Sequence, residues 1–277
     1  MIAFVLGGGG GPLGAHEVGM LGALADRGIV PDLVLGTSVG AINGAAFAAD
    51  PTVAGVERLT AMWCSMQDGG VFSGSLLGRV ATLARTRTHL HDGAVLRELL
   101  AGGLGEARIE DLALPFQCVA ASIERAGEHW FTEGPVVDAV LASASVPGLL
   151  PPAEIGGEHF LDGGIVNSIP VNRAVQLGAT RIFVLHVGRL DRPLEPPRWP
   201  WEVGLVAFEI ARRHRFIGDL AALPDGLEVH VLPTGQQDPP RYTDLSQYRY
   251  RDTSRVGDRI ARAAEASARY LDERDLR

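Results

Sequence analysis

The stretch LVLGTSVGAING, which runs from Leu33 to Gly44, decides the fold of this 277-residue chain. A short apolar run ends at Gly36, and a segment of small residues follows over about residues 40–49. The run predicts a buried strand, and the segment predicts a helix. Between them the pattern G-x-S-x-G predicts a nucleophile elbow, a tight turn that holds the Ser38 hydroxyl out at the carboxyl edge of a sheet. The alternative is a small-residue turn in which Ser38 only caps the helix.

A similar unit precedes this stretch. The sequence IAFVL at residues 2–6 predicts a buried strand, and five glycines follow it from Gly7. Residues 14–27 then carry apolar side chains at helical spacing. Two strands that are each followed by a glycine-rich turn and a helix predict a parallel sheet with helices packed on its faces. The fold class is therefore α/β.

The rest of the chain supplies further elements. Residues 52–101 are mostly helical in pattern, and the proline-rich segment 189–200 predicts an exposed loop. Strands are predicted at 116–123, 128–134, 159–164, 181–187 and 227–233, and helices at 135–145, 201–222 and 253–274. We predict a core over residues 1–190 and a C-terminal helical extension over residues 191–277 that packs on the same domain.

Composition excludes several classes of protein. The formal net charge of -8 provides no general attraction for phosphate backbones, so nucleic acid is not an expected partner. Cys64 and Cys118 lie in separate segments outside any C-x-x-C pair, which argues against a disulfide framework or a zinc site. The amino terminus lacks a basic signal-peptide region, and no apolar run reaches the roughly 20 residues of a membrane span. We expect a soluble, cytoplasmic protein.

The glycine run has two interpretations. From Gly9 it spells G-x-G-x-x-G, the dinucleotide-binding fingerprint, which requires an acidic residue at the end of the second strand. Asp32 stands at the start of that strand, which is the wrong end. In the other interpretation the loop directs backbone N–H groups, together with the N–H of Val39, at the point where an oxyanion would form beside Ser38.

A serine nucleophile needs a proton acceptor. The late histidines, His186, His214 and His230, fall within predicted strands or a helix and not in a glycine-rich turn, so each is expected to be a packed or solvated side chain. Asp162 ends a short apolar run and is followed by two glycines, which places a carboxylate at a strand end. As an isolated motif D-G-G also fits a plain turn.

Taken together, the chain resembles the patatin-like phospholipase family. The matching motifs occur in the family's order over roughly residues 1–190: GGGPLG (9–14), VGML (18–21), GTSVGAING (36–44), ASASVPGLLPP (142–152), DGG (162–164) and NSIP (167–170). Each motif is modest, but the ordered set is highly specific. One departure is Leu13, which stands where the family usually has Arg or Lys before the last glycine of the loop.

The resemblance implies a three-layer α/β/α fold with a mostly parallel central sheet. It also implies hydrolysis of lipid acyl esters without a metal or other cofactor, by a serine–aspartate dyad with no catalytic histidine. Ser38 matches the nucleophile and Asp162 its partner. The oxyanion loop maps onto Gly9, Gly10 and Gly11, and the elbow and motif glycines are Gly14, Gly36, Gly40, Gly163 and Gly164.

Two other functions remain open at this point. One is a carboxylesterase or thioesterase that uses the same dyad on soluble acyl esters. The other is a non-catalytic or cofactor-binding α/β module. The segment over residues 66–91 is a candidate to cap the cleft, receive acyl chains or lie against a membrane surface, and ordinary helix packing is the alternative. The oligomeric state is not predicted.

Overall fold

The computed structural model describes residues 1–9, 11–65, 89, 91–187, 193–236 and 256–276. Eight strands form one sheet: β1 (Ile2–Leu6), β2 (Leu33–Thr37), β3 (Phe116–Ser122), β4 (Gly127–Phe131), β5 (Ala153–Ile155), β6 (Glu158–Asp162), β7 (Arg181–Leu185) and β8 (Glu228–Val231). Helices of the described ranges are α1 (Ala15–Ala25), α2 (Val39–Ala49), α3 (Val53–Ser65), α4 (Ala94–Leu104), α5 (Val136–Ser143), α6 (Val171–Gln176), α7 (Pro200–Ala221) and α8 (Val256–Asp272). None of these helices combines the length and the apolar character that crossing a membrane requires.

The sheet has a parallel centre and an antiparallel end. Strands β3, β2, β1, β7 and β8 lie side by side and parallel, as predicted for an α/β fold. Strands β4, β5 and β6 run antiparallel to their partners. Short connections account for the β3–β4 and β5–β6 pairs, because an antiparallel pair can close through a tight turn whereas a parallel pair needs a long crossover. The antiparallel β3–β6 pair is instead a long-range contact. The β5–β6 hairpin turns through Gly156 and Gly157, both with positive φ, and β5 was missing from the predicted strands.

Helices cover both faces of the sheet, which confirms the predicted α/β sandwich. Successive side chains of β1 point to opposite faces. Phe4 and Leu6 belong to a larger core with side chains from α1 to α5 and α8. Ala3 and Val5 belong to a smaller core with side chains from α6 and α7. The sheet is thus the middle of three layers.

The last third of the chain packs on this framework. Strand β8 extends the sheet beside β7, and α8 lies along α1. Arg27, just after α1, pairs with Asp272 at the end of α8 at 2.5 Å. The boundary proposed at residue 190 stays a prediction. The segment proposed as a cap lies outside the described residues, apart from His89 and His91.

Strand β3 brings β2 and β6 together end to end. Along one edge, Val119 of β3 pairs with Thr37, the last residue of β2, and the next residue, Ala120, pairs with Asp162, the last residue of β6. Strand β4 pairs with β3 across both of these positions, so it occupies the opposite edge. The residue that follows Thr37 therefore emerges beside Asp162, and that residue is Ser38.

Candidate active site

Ser38 has the backbone of a nucleophile elbow. Its φ of 54° and ψ of -120° lie outside the regions that side-chain-bearing residues ordinarily adopt. Helix α2 begins immediately after it, since the N–H groups of Ala41 and Ile42 donate to the Ser38 carbonyl. The Ser38 side chain makes no capping hydrogen bond to this helix. The helix-cap alternative therefore does not account for the serine. Strain of this kind is characteristic of functional sites.

The two glycines that flank Ser38 allow a close approach of backbones. A Cβ on Gly40 would lie 2.3 Å from the carbonyl oxygen of Leu6, and a Cβ on Gly36 would lie 2.6 Å from the Cα of Ala41. Both obstacles are backbone atoms of the sheet or of α2, which cannot rotate away. Glycine at these positions is what lets strand β2, the elbow and helix α2 pack against β1.

Substituting Gly40 by alanine is expected to destabilise the fold by about 3 kcal/mol, the upper end of the usual cost of overpacking, because backbone must shift. Chemical denaturation measures the change. Gly102→Ala is the matched control: Gly102 lies in α4, and a Cβ there meets nothing within 4 Å. That variant should be neutral or more stable by up to about 1 kcal/mol. Equal stability of the two variants would contradict the packing described for the elbow.

Ser38 and Asp162 are in direct contact. The Ser38 hydroxyl donates to Oδ2 of Asp162 at 2.5 Å, and the backbone N–H of Gly164 donates to Oδ1 at 2.7 Å. Asp162 is only 3% exposed. Burial raises the pKa of Asp162 from 3.8 to about 6, and the hydrogen bonds from Ser38 and Gly164 partly oppose this rise. A carboxylate with a raised pKa is a stronger base than an exposed aspartate.

Residues of the ASASVPGLLPP segment hold both partners in place. The Ser143 hydroxyl accepts the backbone N–H of Ser38 at 2.9 Å and donates to the carbonyl of Val119 at 2.6 Å. The backbone N–H of Asp162 donates to the Ser145 carbonyl at 2.9 Å. The sequence motif marked this segment but predicted no role for Ser143 or Ser145. These bonds tie the elbow and the strand end that carries Asp162 to the same part of α5 and β3.

The glycine loop lies beside the elbow. A Cβ on Gly8 would lie 3.6 Å from the Cβ of Ser38, and the Gly8 N–H is bonded to the Ser168 carbonyl at 2.7 Å. Gly9 lies against Val187, where a Cβ would come within 2.1 Å of the side chain. Gly10 is outside the described residues. The start of the loop therefore lies next to Ser38, and the assignment of Gly9, Gly10 and Gly11 as oxyanion donors stays a prediction.

The remaining predicted glycines are also at close contacts. Residues Gly11–Gly14 form a short 3-10 turn, and Gly14 faces the side chain of Val39, the first residue of α2. A Cβ on Gly163 would lie 2.1 Å from the carbonyl oxygen of Val119. A Cβ on Gly164 would lie 3.0 Å from Oδ1 of Asp162.

A buried polar network supports the end of the loop from behind. The Asn43 amide donates to the Gly14 carbonyl at 3.0 Å and to Glu17 at 2.8 Å, and it accepts from the Trp63 indole at 2.8 Å. Burial raises the pKa of Glu17 well above its ordinary value, against the effect of the Asn43 bond. These residues link α1, α2 and α3 beneath the loop, and sequence analysis did not identify them.

The Ser38 hydroxyl bonds to Asp162 and to none of the three late histidines considered as proton acceptors. His230 is on β8, which is separated from β2 by β1 and β7, and it stacks on Phe183 at 5.1 Å between ring centres. His214 is exposed on α7. His186 follows β7 and is buried near Phe216. The group that accepts the hydrogen bond of the Ser38 hydroxyl is the Asp162 carboxylate.

Comparison with known proteins agrees with this geometry. The model of the patatin-like phospholipase family matches residues 4–175, which include both Ser38 and Asp162. The chain belongs to the patatin-like phospholipase family. The match ends before β7, so it does not cover α7 and α8.

Two relatives are similar to about two thirds of this chain. It is 32% identical over 190 residues to lysophospholipase nte1 of Aspergillus terreus, covering 69% of this chain and 12% of that protein. It is 31% identical over 192 residues to patatin-like phospholipase domain-containing protein 7 of Rattus norvegicus, covering 69% of this chain and 14% of that protein. The chain thus spans about an eighth of the length of these relatives.

The fold resembles human GIVD cytosolic phospholipase A2, with a TM-score of 0.53 at 13% identity over 100% of this chain and 58% of that one. VipD from Legionella pneumophila gives a TM-score of 0.50 at 12% identity over 98% of this chain and 66% of that one. At these identities the likeness concerns the fold. This likeness of fold spans residues beyond 175 as well, where the family match ends.

Proposed function

We propose that this protein hydrolyses lipid acyl esters through an acyl-enzyme formed on Ser38, with Asp162 as the only side-chain acid and base. The observation that carries this proposal is the 2.5 Å hydrogen bond from the Ser38 hydroxyl to Oδ2 of Asp162 in a strained elbow. Membership of the patatin-like phospholipase family and the lysophospholipase name of a relative support a lipid substrate.

The first half-reaction forms the acyl-enzyme. Asp162 accepts the hydroxyl proton of Ser38 as Oγ bonds to the ester carbonyl carbon, and the carbonyl electron pair moves onto oxygen. The tetrahedral intermediate then collapses, the bond to the alcohol breaks, and Asp162 returns its proton to the departing alkoxide. In the second half-reaction Asp162 takes a proton from water, the water oxygen attacks the acyl carbon, and Ser38 leaves with that proton.

Backbone N–H groups would stabilise the oxyanion. The candidates are the N–H of Val39, at the positive end of the α2 dipole, and those of Gly9, Gly10 and Gly11, which the family resemblance assigns to the oxyanion loop. A single donor of this kind is typically worth about 3 kcal/mol in the transition state. The same donors would hold the second intermediate, because its oxygen occupies the same position.

Burial suits Asp162 to act first as a base and then as an acid. With a pKa of about 6, the carboxylate is ionised at neutral pH and is still basic enough to accept a proton transiently. The N–H of Gly164 holds Oδ1, which leaves Oδ2 directed at Ser38. A second side chain such as histidine is not needed to orient the base, since the backbone does so.

A substrate panel tests the class of ester. We expect kcat/KM to rise at least tenfold from p-nitrophenyl acetate to the decanoate, since each buried methylene contributes about 0.8 kcal/mol. Long-chain lysophospholipid and diacylphospholipid should also release fatty acid. Enzyme first inactivated by a fluorophosphonate is the control. Turnover of short soluble esters with none of the lipids would instead favour the carboxylesterase or thioesterase function.

A further inference from the structure

An arginine of the C-terminal extension reaches the glycine loop. Arg212 lies on the inner face of α7 and is 5% exposed. Its Nη1 donates to the carbonyl of Gly8 at 3.3 Å, across 204 positions of sequence. Its Nη2 pairs with Glu209 at 2.9 Å, one turn earlier on the same helix. A buried cation of this kind is costly unless it is paired, so its position calls for an explanation.

The bonds of this guanidinium leave it fixed in orientation. Glu209 lies on the same helix and neutralises the charge, and the planar fork of the arginine spans from Glu209 to the loop. The Nε of Arg212 is buried and has no hydrogen-bond partner among the described residues.

The Gly8–Gly9 peptide is the group that this contact controls. The peptide is trans and planar, so the carbonyl of Gly8 and the N–H of Gly9 point in opposite directions. Holding the carbonyl on the α7 side directs the Gly9 N–H to the other side. A cation bonded to the carbonyl also polarises the amide and makes that N–H a stronger donor. Gly9 is the first oxyanion donor of the proposed function.

We propose that Arg212 is a positioning residue that orients and polarises the Gly8–Gly9 peptide as part of the oxyanion hole. This inference rests on the proposed function and extends the active site beyond residue 175, where the family match ends. Phe208, one turn before Arg212, lies against Gly164 of the aspartate motif, where a Cβ would come within 3.1 Å of its ring. The same face of α7 therefore borders both the glycine loop and the aspartate motif.

The test compares Arg212→Gln with Arg213→Gln. Arg213 is the matched control because it lies on the same helix and pairs with the same Glu209 carboxylate, at 3.3 Å. The substrate is p-nitrophenyl butyrate, which has no phosphate and so cannot report on headgroup binding. Removing one oxyanion donor costs roughly 10²–10³-fold in kcat, so a residue that acts through a donor should cost about 10–100-fold.

For Arg212→Gln we expect kcat to fall by this factor, with KM within about threefold of the wild-type value. The rate of Ser38 phosphonylation by a fluorophosphonate should fall in parallel, because the phosphonate oxygen occupies the oxyanion position. Arg213→Gln should stay within about twofold of wild type in both assays, and Arg212→Lys should lie between wild type and Arg212→Gln.

Three results would overturn the proposal: equal kcat for the two glutamine variants, a change confined to KM, or a loss seen only with phospholipids. Thermal unfolding checks that each variant is folded. If Arg212→Gln does not fold, Arg212→Lys is compared with Arg213→Lys, and equal kcat again overturns the proposal. Wild-type protein that neither hydrolyses esters nor reacts at Ser38 would defeat the proposed function itself, a result distinct from any of these.

Discussion

Ser38→Ala is expected to lose all measurable ester hydrolysis, a fall of roughly 10⁶-fold, which is the scale seen when a serine hydrolase loses its nucleophile. The reason is that no acyl-enzyme forms without the Ser38 oxygen, which accepts the acyl group after giving its proton to Asp162. Turnover of p-nitrophenyl butyrate and labelling by a fluorophosphonate measure the loss.

The matched control is Ser267→Ala. Ser267 is a fully buried serine of α8 whose hydroxyl donates to the Pro233 carbonyl at 3.2 Å, so it resembles Ser38 in burial but belongs to a different element and has a different hydrogen-bond partner. This variant should keep wild-type kcat and full labelling. Retention of substantial activity by Ser38→Ala, in protein shown to be folded, would exclude the serine mechanism.

Asp162→Asn is expected to be inactive and more stable than the wild type. Loss of the base should lower kcat by roughly 10²–10⁴-fold. The amide has nearly the same shape and can still accept from Gly164, but it carries no charge that must be desolvated on folding at neutral pH. The variant therefore separates catalysis from folding, and its activity is measured with the same p-nitrophenyl ester.

The sign of the stability change follows from linkage. The pKa of Asp162 is about 6 in the folded protein against an ordinary 3.8, so the folded state binds this proton more tightly and stability falls as pH rises through this range. Above pH 6 the cost approaches roughly 3 kcal/mol at 1.36 kcal/mol for each pKa unit. The free energy of unfolding of Asp162→Asn should exceed that of wild type by up to this amount at pH 8, and the two should converge near pH 4.

The ionisation of Asp162 also determines how the activity of the wild-type protein depends on pH. Because Asp162 must be ionised to accept the Ser38 proton, kcat/KM should rise with pH and level off above about pH 6. Two results would contradict the assignment of Asp162 as a buried base. One is an activity that is constant from pH 4.5 to 8. The other is a stability advantage of Asp162→Asn over wild type that becomes smaller between pH 4 and pH 8.

Local sequence patterns predicted the elbow well. The strand before Gly36, the turn at Ser38 and the following helix all depend on neighbouring residues, and the structure has them within a residue or so. Asp162 is different. Its position beside Ser38 arises from the pairing of β6 with β3, a long-range register that D-G-G alone does not encode. The local pattern suggested a carboxylate at a strand end, and the resemblance to a family assigned it as the partner of Ser38.

Other parts of the site carried little sequence signal. Arg212 belongs to ARRHRF, where three arginines are chemically alike, and only the docking of α7 decides which one turns inward. Glu17 reads as an ordinary polar position on α1, but α1 is covered on its outer side by α8, so nearly every side chain of that helix is buried. Tertiary packing, and not the local sequence pattern, determines that Arg212 and Glu17 are buried.

A chain still attached to the ribosome that has released only its first half already holds Ser38, its elbow and the glycine loop. Asp162 follows 124 residues later and reaches Ser38 only when β6 docks on the edge of β3 beyond β2. In the proposed mechanism, Ser38 of such a nascent chain has no proton acceptor beside it. Incomplete or misassembled copies would therefore not hydrolyse the surrounding lipids. A burst titration of active sites would count only molecules in which β6 is paired with β3.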